Sequence, residues 1–184
     1  CNPDYISHFS VVLNRLSAAI QLDRRYKTEE PMKRIPMKAK VGRLYANIYR
    51  PVEARKYLTD SEKMTVGTKY EFFLPYLYSF FGELEKDFGT ITKAIEYYEK
   101  SISYAKKPLI RYYEIAAESM IDIGDCYADN RQYNKAYDQL RDALKFSRLH
   151  RYSDKIAAAA HSLINVCHEL NLPDKERNDR QIFE

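Results

Sequence analysis

The sequence predicts an all-α chain built as a solenoid of stacked helix-turn-helix hairpins. Three observations lead there. Between Met120 and Ala143, small and apolar residues stand at helical spacing on both sides of a polar turn: Ile123 and Tyr127 share one face, Ala136, Leu140 and Ala143 share another, and Asp129-Asn130-Arg131-Gln132 separates them. The same pattern recurs upstream and downstream at a near-constant interval, with Gly42, Gly82 and Gly124 marking the same place in three successive units. The composition, with five glycines, no extended apolar/polar alternation and many Ala, Leu, Lys and Glu residues, favours helix over strand.

Recurrence is the stronger argument, because one hairpin cannot bury its apolar face and needs stacked neighbours. Laying Gly82 over Gly124 brings Ala94, Tyr98 and Ser101 onto Ala136, Leu140 and Ala143. Laying Gly42 over Gly82 puts Tyr45, Ala54, Leu58 and Ser61 in register as well. Downstream, an almost equal shift lays Ile164 to His168 over Ile123 to Tyr127. Each glycine lets the neighbouring helix come close, and the alanines do so from the other side. These residues resemble the tetratricopeptide repeat, in the long-repeat variety found in sensory regions of bacterial signalling proteins. The resemblance covers about residues 36 to 170. It implies a right-handed α-solenoid that acts as a binding scaffold with little chemistry of its own. Lys38 and His161 depart from the pattern where a large apolar residue is usual, Glu85 replaces a tyrosine and Asn165 replaces the glycine. Because the standard unit has about 34 residues, each unit here has about two extra helical turns to place, in longer helices or in the joints.

The elements follow in order within a single domain of residues 1–184. Residues 5–26 form a first helix with Phe9, Val12, Leu13, Leu16, Ala19, Ile20 and Leu22 on one stripe, closed by the cations Arg24, Arg25 and Lys27, which suit a helix C-terminus. Pro31 and Pro36 bracket a joint, Pro36 suiting the first turn of the next helix. Repeat one spans 36–64, turning at Pro51; repeat two spans 69–106, turning at Asp87 to Thr90; repeat three spans 110–147; and 154–184 is a partial fourth. Pro75 either kinks the fourth helix or marks its start near Leu74. Asp154 is placed to cap the last hairpin's first helix. The 17 tyrosines, against no tryptophan, are expected in helix seams with hydroxyls at the rim.

Several function classes lack their residues. No apolar run is long enough to span a membrane. His161 and His168 are seven apart, about 10 Å along a helix axis, too far to share a metal unaided. No Gly-rich phosphate loop or metalloprotease motif is present, and neither cofactor nor metal is expected. Cys126 and Cys167 occupy equivalent places in neighbouring units, beyond disulfide reach, and read as buried thiols. The chain begins with Cys1 rather than methionine, so a processed product or an excised fragment is expected, and Cys1 followed by Asn2-Pro3-Asp4 fits a lipid-modified start. The compartment expected is periplasmic or extracytoplasmic, with membrane anchoring, and the cytoplasm is the alternative. Residues 1–59 carry 12 Lys and Arg against 5 Asp and Glu, whereas 60–184 carry 18 against 21. The basic third makes a nucleic-acid-binding array the alternative function, although no base-reading motif accompanies it.

The family pattern places groove-facing residues on the first helix of each unit, one after the glycine and one turn to either side. Carried over, it implies Ala39, Arg43 and Asn47, then Ser79, Glu83 and Asp87 with Lys86 beside them, then Ile121, Asp125 and Asp129, then Ser162, Val166 and Glu169. The binding residues expected are thus Arg43, Asn47, Ser79, Glu83, Lys86, Asp87, Asp125 and Asp129. Their acids form a floor suited to a protein or peptide ligand with a cationic segment.

Overall fold

The computed structural model describes residues 3–25 and 30–170. Its helices are α1 (Pro3–Arg25), α2 (Pro31–Asn47), α3 (Pro51–Thr65), α4 (Leu74–Phe88), α5 (Ile91–Ala105), α6 (Tyr113–Asp129), α7 (Tyr133–Leu149) and α8 (Ser153–Glu169), with a 3-10 turn over Glu71–Phe73. Three antiparallel hairpins, α2 with α3, α4 with α5 and α6 with α7, stack in sequence, and α8 packs against α6 and α7. The first helices of the hairpins also touch one another, so α2, α4, α6 and α8 form one layer and α3, α5 and α7 the other.

The repeated glycines set how close the two layers come. A Cβ on Gly42 would lie 2.9 Å from Cγ of Leu58, one on Gly82 would lie 2.6 Å from Cε1 of Tyr98, and one on Gly124 would lie 2.5 Å from Cγ of Leu140. The separation along the chain is identical in the three pairs, so one knob fills one glycine notch per hairpin. All three knobs are buried. A second recurring spacing ties the helices further along: the Ser61 hydroxyl donates to the Ile35 carbonyl at 2.9 Å, and the Ser101 hydroxyl donates to the Pro75 carbonyl at 2.8 Å. Ser119 donates in turn to Ser101 at 2.9 Å. These hydroxyls are buried with their partners met, which removes the penalty of hiding a polar group in the seam. Ala143 holds the equivalent place in the third hairpin, where the contact is apolar instead.

Tyrosines fill the seams as expected, though not all at the rim. Tyr98 is buried outright, whereas Tyr78, Tyr97 and Tyr104 form a ring cluster with Phe81, Tyr97 stacking on Phe81 at 4.9 Å. The Lys100 ammonium caps that cluster 5.0 Å from the Tyr97 ring.

Several boundaries differ from the sequence expectation. Helix α2 begins at Pro31 rather than Pro36, which lies inside it. Pro36 removes only the bond to the Met32 carbonyl, in an exposed first turn where water can serve instead. Pro75 is the second residue of α4, so it marks a start and not a kink. Asp154 does not cap α8: the helix begins at Ser153, and the Asp154 carboxylate pairs with Lys155 Nζ at 3.3 Å. The extra residues of the long unit occupy both the helices and the joints 66–73 and 106–112. The hairpin turn of the first unit, that of the third, and the joint before α8 each use a left-handed non-glycine residue: Tyr49, Arg131 and Arg151, with φ of 59, 56 and 60°. In each case the next N–H closes back onto the helix, Arg50 to the Tyr45 carbonyl, Gln132 to Tyr127 and Tyr152 to Ser147, at 3.0, 2.8 and 3.0 Å. Cys1, the cations beyond Arg25 at the end of α1, and the stretch 171–184 lie outside the described residues. Cys126 and Cys167 are buried, burial pushing the Cys126 thiol up to about 11.

Candidate functional site

The groove layer presents one stripe per helix. On α6 it runs Glu118, Asp122, Asp125, Asp129, at the i, i+4, i+7, i+11 spacing of a single helical face. One unit earlier the same places on α4 hold Tyr76, Phe80, Glu83 and Asp87. On α2 they hold Pro36, Lys40, Arg43 and Asn47. The surface therefore changes along the solenoid from basic on α2, through mixed on α4, to wholly acidic on α6.

Specific contacts join these stripes. The Arg43 guanidinium grips both carboxylate oxygens of Glu83, Nε to Oε2 at 3.1 Å and Nη2 to Oε1 at 3.3 Å, and lies 4.9 Å over the Phe80 ring. Lys86 Nζ reaches Asp129 Oδ2 at 3.3 Å. Lys155 Nζ reaches Glu118 at 3.3 Å. A cleft of about 350 Å³ opens between α6 and α8, lined by Lys86, Asp125, Asp129, Ser162, Val166 and Glu169. Asp125 hydrogen-bonds with Ser162 across it.

The sequence-expected residues thus divide. Lys86, Asp125 and Asp129 come together in the cleft, and Arg43 with Glu83 forms a closed pair one unit away. Asn47 and Asp87 meet in a separate depression beside Tyr49 and Phe88 at the hairpin-turn end. Ser79 is buried, as are Ala39 and Ile121, because the stripe facing the groove is rotated from the carried-over positions and these three point into the seams between helices.

Two features were missed. Asp122, half-buried beside Glu118, is one; its signal was present in the four-acid stripe of α6. The other is an apolar hollow of about 220 Å³ between α2 and α4, lined by Ile35, Pro36, Ala39, Phe73, Tyr76 and Phe80. No spacing rule announces it, since it arises where the 3-10 turn brings Phe73 against α2.

Crowding raises the acids. Burial first, then the charges of Glu118 and Glu83, pushes the Asp122 carboxyl up to about 7. Burial also raises Glu83 against the opposing Arg43, and raises Asp125 against Ser162 and Lys86. A carboxyl held above its unfolded value binds its proton more tightly in the folded state, so its contribution favours folding at low pH and is lost as pH rises through about 7. Asp122→Asn is therefore expected to be more stable than the parent at pH above 7, by about 1–2 kcal/mol after allowance for solvent screening. The gap should close as pH falls below the ordinary carboxylate range. Thermal melts across that range check it; a gap independent of pH would show that Asp122 is not held protonated.

Among the described residues no three His, Cys, Asp or Glu side chains group as a metal site, and no helix is long and apolar enough to cross a membrane.

No family model and no curated protein matches the sequence. Solved structures do match the fold. Aspartyl phosphate phosphatase F from Bacillus subtilis superposes with a TM-score of 0.79 at 15% identity, over 94% of this chain and 48% of that one. RapI in its apo form gives 0.77 at 18%, over 95% and 48%. A Signal Transduction ATPase with Numerous Domains from Pyrococcus horikoshii, which carries a tetratricopeptide repeat sensor, gives 0.77 at 16%, over 96% and 28%. The chain spans about half the length of the first two and less of the third. The matched architecture, three stacked hairpins with a helix at each end, is that of a tetratricopeptide-repeat-like, right-handed α-solenoid.

Proposed function

We propose that the chain is a non-catalytic scaffold whose concave layer binds a protein or peptide segment, with Lys or Arg side chains of that segment lying over α6. The observation that carries this reading is the cluster Glu83, Asp122 and Asp125, three carboxyls crowded on adjoining faces of α4 and α6 and all raised by burial first and by like charge as well. A cation entering the groove relieves that repulsion and gains charge-assisted hydrogen bonds. The basic α2 end favours the opposite sign, so a bound segment would be cationic at one end only. The sensing or docking part of a larger bacterial signalling protein is the setting we propose, supported by the partial coverage of matched proteins that include a repeat sensor.

The test is titration of a Lys/Arg-containing peptide, and of the same peptide with glutamates in those places, into the parent and into Asp122→Asn/Asp125→Asn. The cationic peptide should bind the parent and lose at least about tenfold in affinity on the variant, with helicity unchanged. Equal binding of both peptides, or equal binding by both proteins, would sink the proposal.

A further inference from the structure

The joints that link one hairpin to the next lie together on one long edge of the solenoid, away from the hairpin turns. Contacts between them show it: Lys107 of the second joint bonds Glu71 of the first at 3.3 Å, and Tyr113 beside the second stacks on His150 of the third at 4.5 Å. Lys106 also lies 4.8 Å over the Phe146 ring, next to that third joint. The start of α2 adjoins the first joint, since Ile35 and Pro36 share a hollow with Phe73.

Each joint exposes an aliphatic side chain at its tip. Leu109 is 99% exposed, Leu149 77%, Val66 47%, and Met32 at the start of α2 50%. A leucine turned wholly into water gains nothing for the fold, and a row of them along one edge is unlike the scattered single residues of an ordinary surface. The same joints are basic. Residues 66–72, 106–112 and 148–152 carry Lys69, Lys106, Lys107, Arg111, Arg148 and Arg151 against one carboxylate, Glu71. That carboxylate is already taken by the Gly67 N–H and by Lys107. Lys69, Lys106, Arg111 and Arg151 are exposed. Tyr70, Tyr112, Tyr113 and Tyr152 stand just behind the tips, half-buried, with an apolar ring and a polar end. Glu114 and Asp154, the second residues of α6 and α8, are exposed beside these joints, Asp154 held by Lys155.

We propose that this edge docks peripherally on an anionic lipid bilayer, the aliphatic tips entering the interface, the tyrosines at headgroup level and the cations facing the lipid charges. Protruding aliphatics, a tyrosine row and a rim with more cations than acids are the features an anionic interface rewards together. A nucleic acid would use the cations and leave the leucines in water, and an acidic protein would need a shaped apolar patch rather than separate tips. The edge is distinct from the concave layer, so failure of either reading leaves the other standing.

Flotation of the 184-residue chain with vesicles tests it, using phosphatidylcholine alone and phosphatidylcholine mixed with phosphatidylglycerol. The parent should float with the anionic vesicles only, and less as salt rises. Leu109→Glu/Leu149→Glu should reduce partitioning at least about tenfold with its melting temperature retained, because both side chains are exposed. Lys69→Gln/Lys106→Gln/Arg151→Gln should do the same. No binding to anionic vesicles at low salt would overturn the proposal, as would equal partitioning by the leucine variant. Tight binding to duplex DNA that the leucine variant keeps would assign the edge to nucleic acid instead, and would overturn it too.

Discussion

Gly124→Leu is expected to lower stability by about 3 kcal/mol, the upper end of the usual range for overpacking a tight seam. The reason is geometric: even the first carbon of a side chain there would stand 2.5 Å from Cγ of Leu140. Leu140 has nowhere to go, since Ala136 and Ala143 on either side of it are fully buried, and it sits in a cluster that also holds Leu144 and Leu163. In a chain of this size the loss corresponds to a fall in melting temperature of about 6–12 °C. Gly124→Ala should cost less and show coupling: combined with Leu140→Ala, which clears the notch, the two costs should fall short of their sum. A melt unchanged by Gly124→Leu would reject the register in which Leu58, Tyr98 and Leu140 fill three equivalent notches.

That register was legible in the sequence because it depends on residues whose size is their role. Gly42, Gly82 and Gly124 recur with Ala54, Ala94 and Ala136 at positions where only small side chains let helices close, and a shift of the chain against itself exposes them. Groove chemistry was legible only in part. The family pattern pointed to Ser79, which is small enough to be buried in the seam at 6% exposure, whereas Asp122 lies on the partly exposed acidic stripe of α6 and was passed over. Helical spacing from Glu118 to Asp129 would have recovered it, because four acids on one face of a helix with buried opposite faces must share a surface. Pro36 misled for a different reason: proline is favoured in a first turn, yet it is tolerated one turn later where the orphaned carbonyl is still exposed. The apolar hollow and the exposed edge were beyond reach, since both depend on which joints come side by side, and joint lengths here vary from unit to unit.

Arg55→Met is expected to cost about 2–3 kcal/mol, somewhat below the usual toll for breaking a buried ion pair. Glu85 occupies the place that Tyr45 holds in α2 and Tyr127 in α6, and it is 3% exposed. Its carboxylate meets Arg55 Nη1 of α3 at 2.6 Å, so this contact links the first hairpin to the second. Gly89, at the C-terminal end of α4, leaves room for the other carboxylate oxygen, which would clash with any Cβ there. Removing the guanidinium leaves that carboxylate enclosed without its countercharge, while the partial exposure of Arg55, at 44%, lets some water reach the gap and reduces the penalty. The two partners are therefore not equivalent. Glu85→Met leaves only a half-exposed arginine, which water can solvate, and should cost less than about 1 kcal/mol or even stabilise. The double variant should then recover most of what Arg55→Met loses. Denaturant melts of the three variants decide it: if Arg55→Met is neutral, or if the double variant is as unstable as the single one, the pair does not hold the first hairpin to the second, and the apolar packing of Ala39, Ala54 and Leu58 against α4, with the Arg43–Glu83 pair, would have to do so alone.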